Sequence, residues 1–258
     1  MTETAYQDKP WLRSYGEGIP SHVDYEEIFL TDFLERSVSE FPDNTALNFQ
    51  GYRLSYRETD RMVKSVAAWL KSIGVEKGDR VAVLLPNVIP CLVAYYAIMR
   101  VGAICVMNNP LYTDRELLHQ FNDSGARVLF TLDLLADRMT ALRSKTSIKE
   151  IVYTSIGDYL PFPKNLLFPL VGKRKKLAAD VAPAPDVMKW KDMVAANAPT
   201  EFRETLSLDD VAMYQYTGGT TGPAKGVMLT HRNLSFQIQQ ASIWFSEFVK
   251  GGECCIAA

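Results

Sequence analysis

Up to Ser155 the apolar positions alternate between two periods. From Glu58 to Ile73, Met62, Val63, Val66, Trp69, Leu70 and Ile73 share one helical stripe, which Gly74 ends. The turn "EKGD" then leads into "RVAVLL", Arg80 to Leu85, a run apolar along most of its length. The order repeats: helix 88–101, strand 103–107, helix 114–122 opening at Thr113, strand 126–132, helix 133–144 and strand 150–154. Strands without polar alternation, separated by helices, predict an α/β fold whose parallel sheet is covered on both faces. Ligands of such sheets sit beyond the carboxyl ends of the strands. The loops "PNV" (86–88) and "NNPLYT" (108–113) are therefore candidate site walls, with turn and helix-cap duty as their alternative role.

One stretch imitates a membrane span. "VIPCLVAYYAIMRVGAICVM", residues 88–107, holds a single charge, Arg100, over about the 20 residues needed to cross a bilayer. Pro90 in the first turn after Asn87 and the break at Gly102 divide it instead into a buried helix and a buried strand.

Beyond Ser155 the pattern changes. Six prolines fall between 161 and 199, and "LPFPKNLLFPLVGKRKK" (160–176) joins an apolar stretch to the four cations Lys173 to Lys176. Two readings stand: a connector with a solvated basic turn, or a patch resting on anionic lipid. Four regions follow: an arm and first helix (1–45), an α/β unit (46–155), a proline-rich connector with its basic segment (156–205), and the start of a second unit (206–258).

At 258 residues and 47% apolar content the chain can bury a substantial core, and a net charge of -2 leaves no broad cationic surface for nucleic acid. Cysteines at 91, 105, 254 and 255 form no C-x-x-C pair, and with three histidines there is no zinc pattern. This fits a reducing compartment. The N-terminal "MTETAYQDKPWLRSYGEG" lacks the apolar segment of a secretory signal, so a cytoplasmic protein is expected.

The chemistry is concentrated in "QYTGGTTGPAKGVMLTH", Gln215 to His231, which packs four glycines, four threonines and one lysine between apolar flanks. A strand through Val211 and Met213 precedes it, and "GVMLTH" with a helix at 232–248 follows. G-x-x-x-x-G-K-[ST] fails, because Lys225 is preceded by Ala224 and followed by Gly226; G-x-G-x-x-G fails as well. What remains is backbone N–H groups at Gly218, Gly219 and Gly222, hydroxyls on Thr217, Thr220 and Thr221, and the Lys225 ammonium, a set suited to a polyphosphate. A flexible glycine hairpin predicts neither the threonines nor the lysine.

"YTGGTTGPAKGVMLTHRNL" resembles the phosphate loop of the adenylate-forming superfamily, the acyl-CoA synthetases, luciferases and peptide-synthetase adenylation domains, whose usual form is T-S-G-T-T-G-x-P-K-G. "NNPLYTDRELLHQFNDSGA", "KGDRVAVLLPN" and "WLRSY" extend the likeness over nearly the whole chain, and bacterial long-chain fatty-acid–CoA ligases are the most similar group. Gly218 replaces the family's serine, and Pro223 stands one place before the usual proline. The resemblance implies the N-terminal part of such an enzyme's large domain, with a second sheet starting at the phosphate loop. It implies that Tyr216 through Gly226 hold nucleotide phosphates, Thr217, Gly218, Gly219 and Thr221 among them. Gly222, Pro223 and Ala224 would carry the loop to Lys225, and Gly226 would close it. Lys225 and Thr220 are the implied catalytic groups, with ATP, Mg²⁺ and CoA as the molecules used. His231 is read as shaping the turn after the loop.

The implied reaction joins a fatty acid to CoA through an acyl-adenylate. Another carboxylic acid in the same superfamily, or a non-catalytic piece binding nucleotide or lipid, are the alternatives. The family's adenine pocket, its ribose and Mg²⁺ acids and its adenylation lysine find no match before Ala258, so no metal ligand is assigned and the piece alone is expected to be inactive. Peripheral contact with the inner membrane face through 160–176, and a homodimer, complete the expected partners.

Overall fold

The computed structural model describes residues 9–219, 222–245, 249 and 251–252. Helix α1 (Leu30–Glu40) leads to a two-stranded antiparallel ladder, β1 (Thr45–Phe49) with β2 (Tyr52–Ser55), turning at Gln50 and Gly51, both at positive φ. Sequence reasoning passed over this hairpin, although "TALNFQGYRLS" alternates across a glycine. The repeated units then follow: α2 (Tyr56–Ser72), β3 (Arg80–Leu84), α3 (Ile89–Arg100), β4 (Ile104–Met107), α4 (Asp114–Ser124), β5 (Val128–Leu132), α5 (Asp133–Leu142) and β6 (Glu150–Thr154). The stretch expected as a connector carries α6 (Lys164–Arg174), β7 (Val187–Lys189) and α7 (Trp190–Ala196), and the chain continues through β8 (Val211–Gly219), β9 (Gly222–Thr230) and α8 (His231–Trp244).

Local sequence explains the helix starts. Ser55 and Glu58 form a reciprocal cap at α2, and Thr113 and Glu116 do the same at α4, each glutamate reaching back 2.8 Å to the cap's own N–H. Gly125, at φ 64°, closes α4 in the left-handed conformation. The apolar run at 88–107 becomes α3 and β4, and among the described residues no helix is long and apolar enough to cross a membrane.

The main sheet has seven strands in the order β7-β6-β5-β3-β4-β8-β9, parallel except for the antiparallel β8–β9 pair. Side chains alternate between two cores. Val81, Val83, Phe130 and Val152 face α2, α3 and α7; Ala82, Leu84, Leu129 and Ile151 face α4 and α5. The sheet is thus covered on both faces, as the apolar strands require.

One expectation is corrected. The glycine-rich segment does not open a second sheet: β8 lies beside β4, with Cys105 opposite Met213 and Val106 opposite Tyr214, and the small second sheet is β1–β2. The reason is backbone satisfaction. A strand as buried as β4 cannot leave one row of amides unpaired, and β8 supplies the partners.

Candidate functional site

The chain leaves β3 toward α3 on one face and leaves β4 toward α4 on the other, so the connections diverge at the β3–β4 carboxyl ends. Crevices of this kind are where open α/β sheets take ligands. β8 runs parallel to β4 and ends at the same edge, which places the glycine hairpin beside the crevice.

Both "wall" loops are here. In "NNPLYT", Asn109 Oδ1 accepts from the Leu111 N–H at 2.9 Å and Thr113 caps α4, so these two side chains hold the turn. Asn108 is buried just past the end of β4; its Nδ2 donates to Gln120 Oε1 at 2.6 Å, and its Oδ1 has no partner among the described residues. "PNV" turns from β3 into α3, with the Val88 N–H donating to the Pro86 carbonyl.

Within the hairpin the register pairs Tyr216 with Gly226, Thr217 with Lys225 and Gly219 with Gly222. Because side chains alternate, Tyr216 and Gly226 face α4 while Thr217 and Lys225 face the opposite side together. Tyr216 is buried and its hydroxyl donates to Asp123 Oδ2 at 2.7 Å. Burial, reinforced by the Asp123 carboxylate, pushes the Tyr216 hydroxyl well above its ordinary pKa, so it stays protonated and donates. The ring needs the bare backbone of Gly226: a Cβ there would stand 3.2 Å from Tyr216 Cζ.

Helix α4 braces the second strand as well. His119 Nε2 lies 2.8 Å from the Ala224 carbonyl, and since a carbonyl only accepts, Nε2 carries the proton. His119 and Asp123 sit four residues apart on one helix face and together pin both strands of the hairpin. Sequence reasoning did not single out either residue. Their four-residue spacing was the available signal, although Asp123 stands one place beyond the expected helix 114–122 and joins it only because the helix runs to Ser124.

The other glycines have a different environment. At Gly218 and Gly222 an added Cβ would meet nothing within 4 Å among the described residues, and neither has positive φ. Neither packing against the described residues nor backbone conformation calls for glycine there. Close approach of a molecule from outside does, because a missing Cβ exposes the N–H groups. Thr217 and Lys225 are both exposed, and Lys225 makes no ion pair with another described residue. Pro223 is exposed before the half-buried Ala224. Gly219 ends β8, while Thr220 and Thr221 lie outside the described residues. The Thr217 hydroxyl and the Lys225 ammonium therefore project together from an exposed hairpin that also carries two glycines without a Cβ, and the residues present suit a polyphosphate.

His231 is buried at the start of α8, edge-on to the Phe29 ring at 5.3 Å. Thr230 caps this helix through the Asn233 N–H at 3.2 Å. Burial lowers the His231 pKa; Lys77 adds to that and Asp210 opposes it.

Residues 34–254 match the family model described as AMP-binding enzyme. A long-chain-fatty-acid–CoA ligase of Bacillus subtilis (strain 168) is 38% identical over 248 residues, and its counterpart in Escherichia coli O157:H7 is 34% identical over the same length. Each match covers 95% of this chain and 44% of the relative, so the chain spans less than half of these proteins. Among solved structures, a long-chain-fatty-acid–CoA ligase from Archaeoglobus fulgidus aligns with a TM-score of 0.70 at 27% identity, over 89% of this chain and 42% of that one. An anthranilate–CoA ligase in complex with anthranoyl-AMP, at TM-score 0.69 and 21% identity, over 83% of this chain and 36% of its own, shares the fold. The β8–β9 hairpin, the sheet that carries it and the match along most of the chain lead to one assignment: the chain belongs to the AMP-binding enzyme family.

Proposed function

We propose that the protein carrying this chain is an ATP-dependent acid–thiol ligase acting on long-chain fatty acids. The observation that carries the reading is the hairpin surface, where Gly218 and Gly222 have no internal reason to be glycine and Thr217 stands opposite Lys225. The relatives' names support the choice of acid.

A carboxylate resists thiol attack because oxide is a poor leaving group. Attack of one carboxylate oxygen on the α-phosphorus of ATP, with pyrophosphate departing on the electron pair of the broken P–O bond, supplies AMP as a better one. CoA thiolate then attacks the acyl carbon and AMP leaves. In this scheme Gly218 and Gly222 offer N–H donors to the β- and γ-phosphates, Thr217 adds a hydroxyl, and Lys225 neutralises charge that builds on pyrophosphate. Thr220 and Thr221 complete the hydroxyl set in the proposal. Mg²⁺ carried with the nucleotide supplies further neutralisation; among the described residues no cluster of His, Cys, Asp or Glu could hold a metal, so none is assigned to it. His119 and Asp123 act as positioning residues through the hairpin backbone and Tyr216. No side chain here is a covalent nucleophile. The 258-residue chain alone is proposed to be inactive, a statement that turnover by the isolated piece would overturn.

The test is palmitate-dependent ATP–pyrophosphate exchange by the full gene product, for wild type and Lys225→Ala. Loss of about 10²–10³-fold in the variant is the expectation for removing one preorganised transition-state donor. Exchange supported by no carboxylic acid would remove the ligase reading.

A further inference from the structure

Helix α6 is docked by its smaller face. Phe168 turns inward against Gly157 and Gly172, where a Cβ would stand 2.3 Å and 2.9 Å from the Phe168 ring. Two residues out of phase, Leu166 and Leu170 point the opposite way and are 66% and 77% exposed; Phe162, at 78%, extends the same apolar surface, with Leu167 beside it. A helix that packs only as part of a soluble body places leucine inward. This one leaves its leucines outside.

The surrounding charge is one-sided. Lys164 precedes the leucines and Lys173, Arg174, Lys175 and Lys176 follow them, while Asp180 is the only acid between Leu160 and Pro185. Asp180 pairs with Lys173 at 2.6 Å; the other four cations make no ion pair with a described residue. α6 covers 11 residues, too few to cross a bilayer but enough to lie along its surface.

We propose that α6 is an interfacial anchor for an anionic lipid bilayer. Phe162, Leu166, Leu167 and Leu170 enter the boundary between headgroups and acyl chains, and Arg174, Lys175 and Lys176 pair with lipid phosphates, their stems lying along the apolar surface. Charge complementarity selects this occupant, since an apolar stripe next to a run of unpaired cations matches an anionic membrane surface on both counts. The position also suits a substrate held in lipid. α6 follows the carboxyl end of β6, the same sheet edge as the glycine hairpin, with four strand spacings, about 19 Å, between β6 and β8.

The experiment is co-sedimentation of the full gene product with vesicles of equal parts phosphatidylcholine and phosphatidylglycerol, and with phosphatidylcholine alone. It uses wild type, the pair Leu166→Ser and Leu170→Ser, and the triple Arg174→Ser, Lys175→Ser and Lys176→Ser. Wild type is expected to favour the anionic vesicles in a salt-sensitive way. The triple variant is expected to lose about 100-fold on them, from about tenfold or less per cation. The leucine pair is expected to lose at least about tenfold on either vesicle while unfolding close to the wild-type temperature, since both side chains are mostly exposed. Failure of wild type to sediment, or equal sedimentation of all three proteins, overturns the proposal. So does a wild-type dimer that the leucine pair dissociates without any change in vesicle binding, because a second copy would then cover the stripe. Binding is read without turnover, so this outcome and that of pyrophosphate exchange are independent.

Discussion

Replacing Gly218 by alanine separates a glycine kept for a ligand from one kept for the fold. Its φ is not left-handed and the new methyl meets no atom of the described residues within 4 Å, so the folded state accepts alanine without strain. Reduced freedom of the unfolded chain then raises stability by about 0.4–1 kcal/mol, or about 1–4 °C in Tm for a chain of this size. Gly226→Ala is the internal contrast. Its methyl lies 3.2 Å from Tyr216 Cζ, and that ring is tethered to Asp123, so it has little room to withdraw. Overpacking of about 1–3 kcal/mol, less the same gain in the unfolded state, leaves a net loss of about 1–2 kcal/mol. Nucleotide binding should order the variants differently. A methyl at 218 stands between the backbone donors and an approaching phosphate; losing one charge-assisted hydrogen bond costs about 1.5–3 kcal/mol, or about 10- to 150-fold in ATP affinity. Thermal unfolding with and without ATP reads both quantities in one series. If Gly218→Ala unfolds below wild type and still binds ATP normally, the glycine serves the fold and the cradle argument is wrong.

Two further outcomes follow from buried charge. Arg100, with a side chain 4% exposed, is held by Asp60, Glu35 and Glu201 and donates from Nε to the Phe202 carbonyl at 3.0 Å. Arg100→Met removes the cation beside Asp60 Oδ1 while Lys64 still pairs with Oδ2 at 2.7 Å, so the expected cost is at most about 3 kcal/mol, read as a lowered urea midpoint, and Asp60→Asn in the same background should recover part of it. His231 supplies a pH test. Its folded pKa lies below the ordinary 6.5, so the unfolded chain binds the proton more readily; stability from the neutral buried ring is full above pH 6.5 and falls as pH drops through that value toward the folded pKa. Stability of His231→Gln should therefore decline less between pH 7 and pH 5, whereas an unchanged decline would assign the acid sensitivity to another group.

The sheet's parallel units were legible because each depended on a local signal: apolar strands, helical stripes and caps such as Thr113 with Glu116. The hairpin β1–β2 carried such a signal, alternation across Gly51, whereas strand β7 carried none. Three residues of β7 pair with β6 at the sheet edge, and so short a run carries no period of its own. At the candidate site, the hydroxyls, glycines and lysine were readable as a set. Their division of labour was not, since glycines at 218, 222 and 226 look alike in sequence and differ only in what surrounds them.

The sequence by itself determined the alternation of buried strands and amphipathic helices, the glycine–threonine–lysine chemistry and the run of cations after the leucines of α6. Backbone preference and side-chain type act over a few residues, so a linear reading reaches them. Tertiary structure alone decided that β8 joins β4 rather than beginning another sheet, that His119 and Asp123 on α4 brace the hairpin from one side, and that α6 docks through Phe168 with its leucines outward. Each of these depends on which surfaces remain unsatisfied once distant segments meet: a row of unpaired amides on β4, a tyrosine hydroxyl in need of an acceptor, and a seat formed by two glycines that admits a single ring.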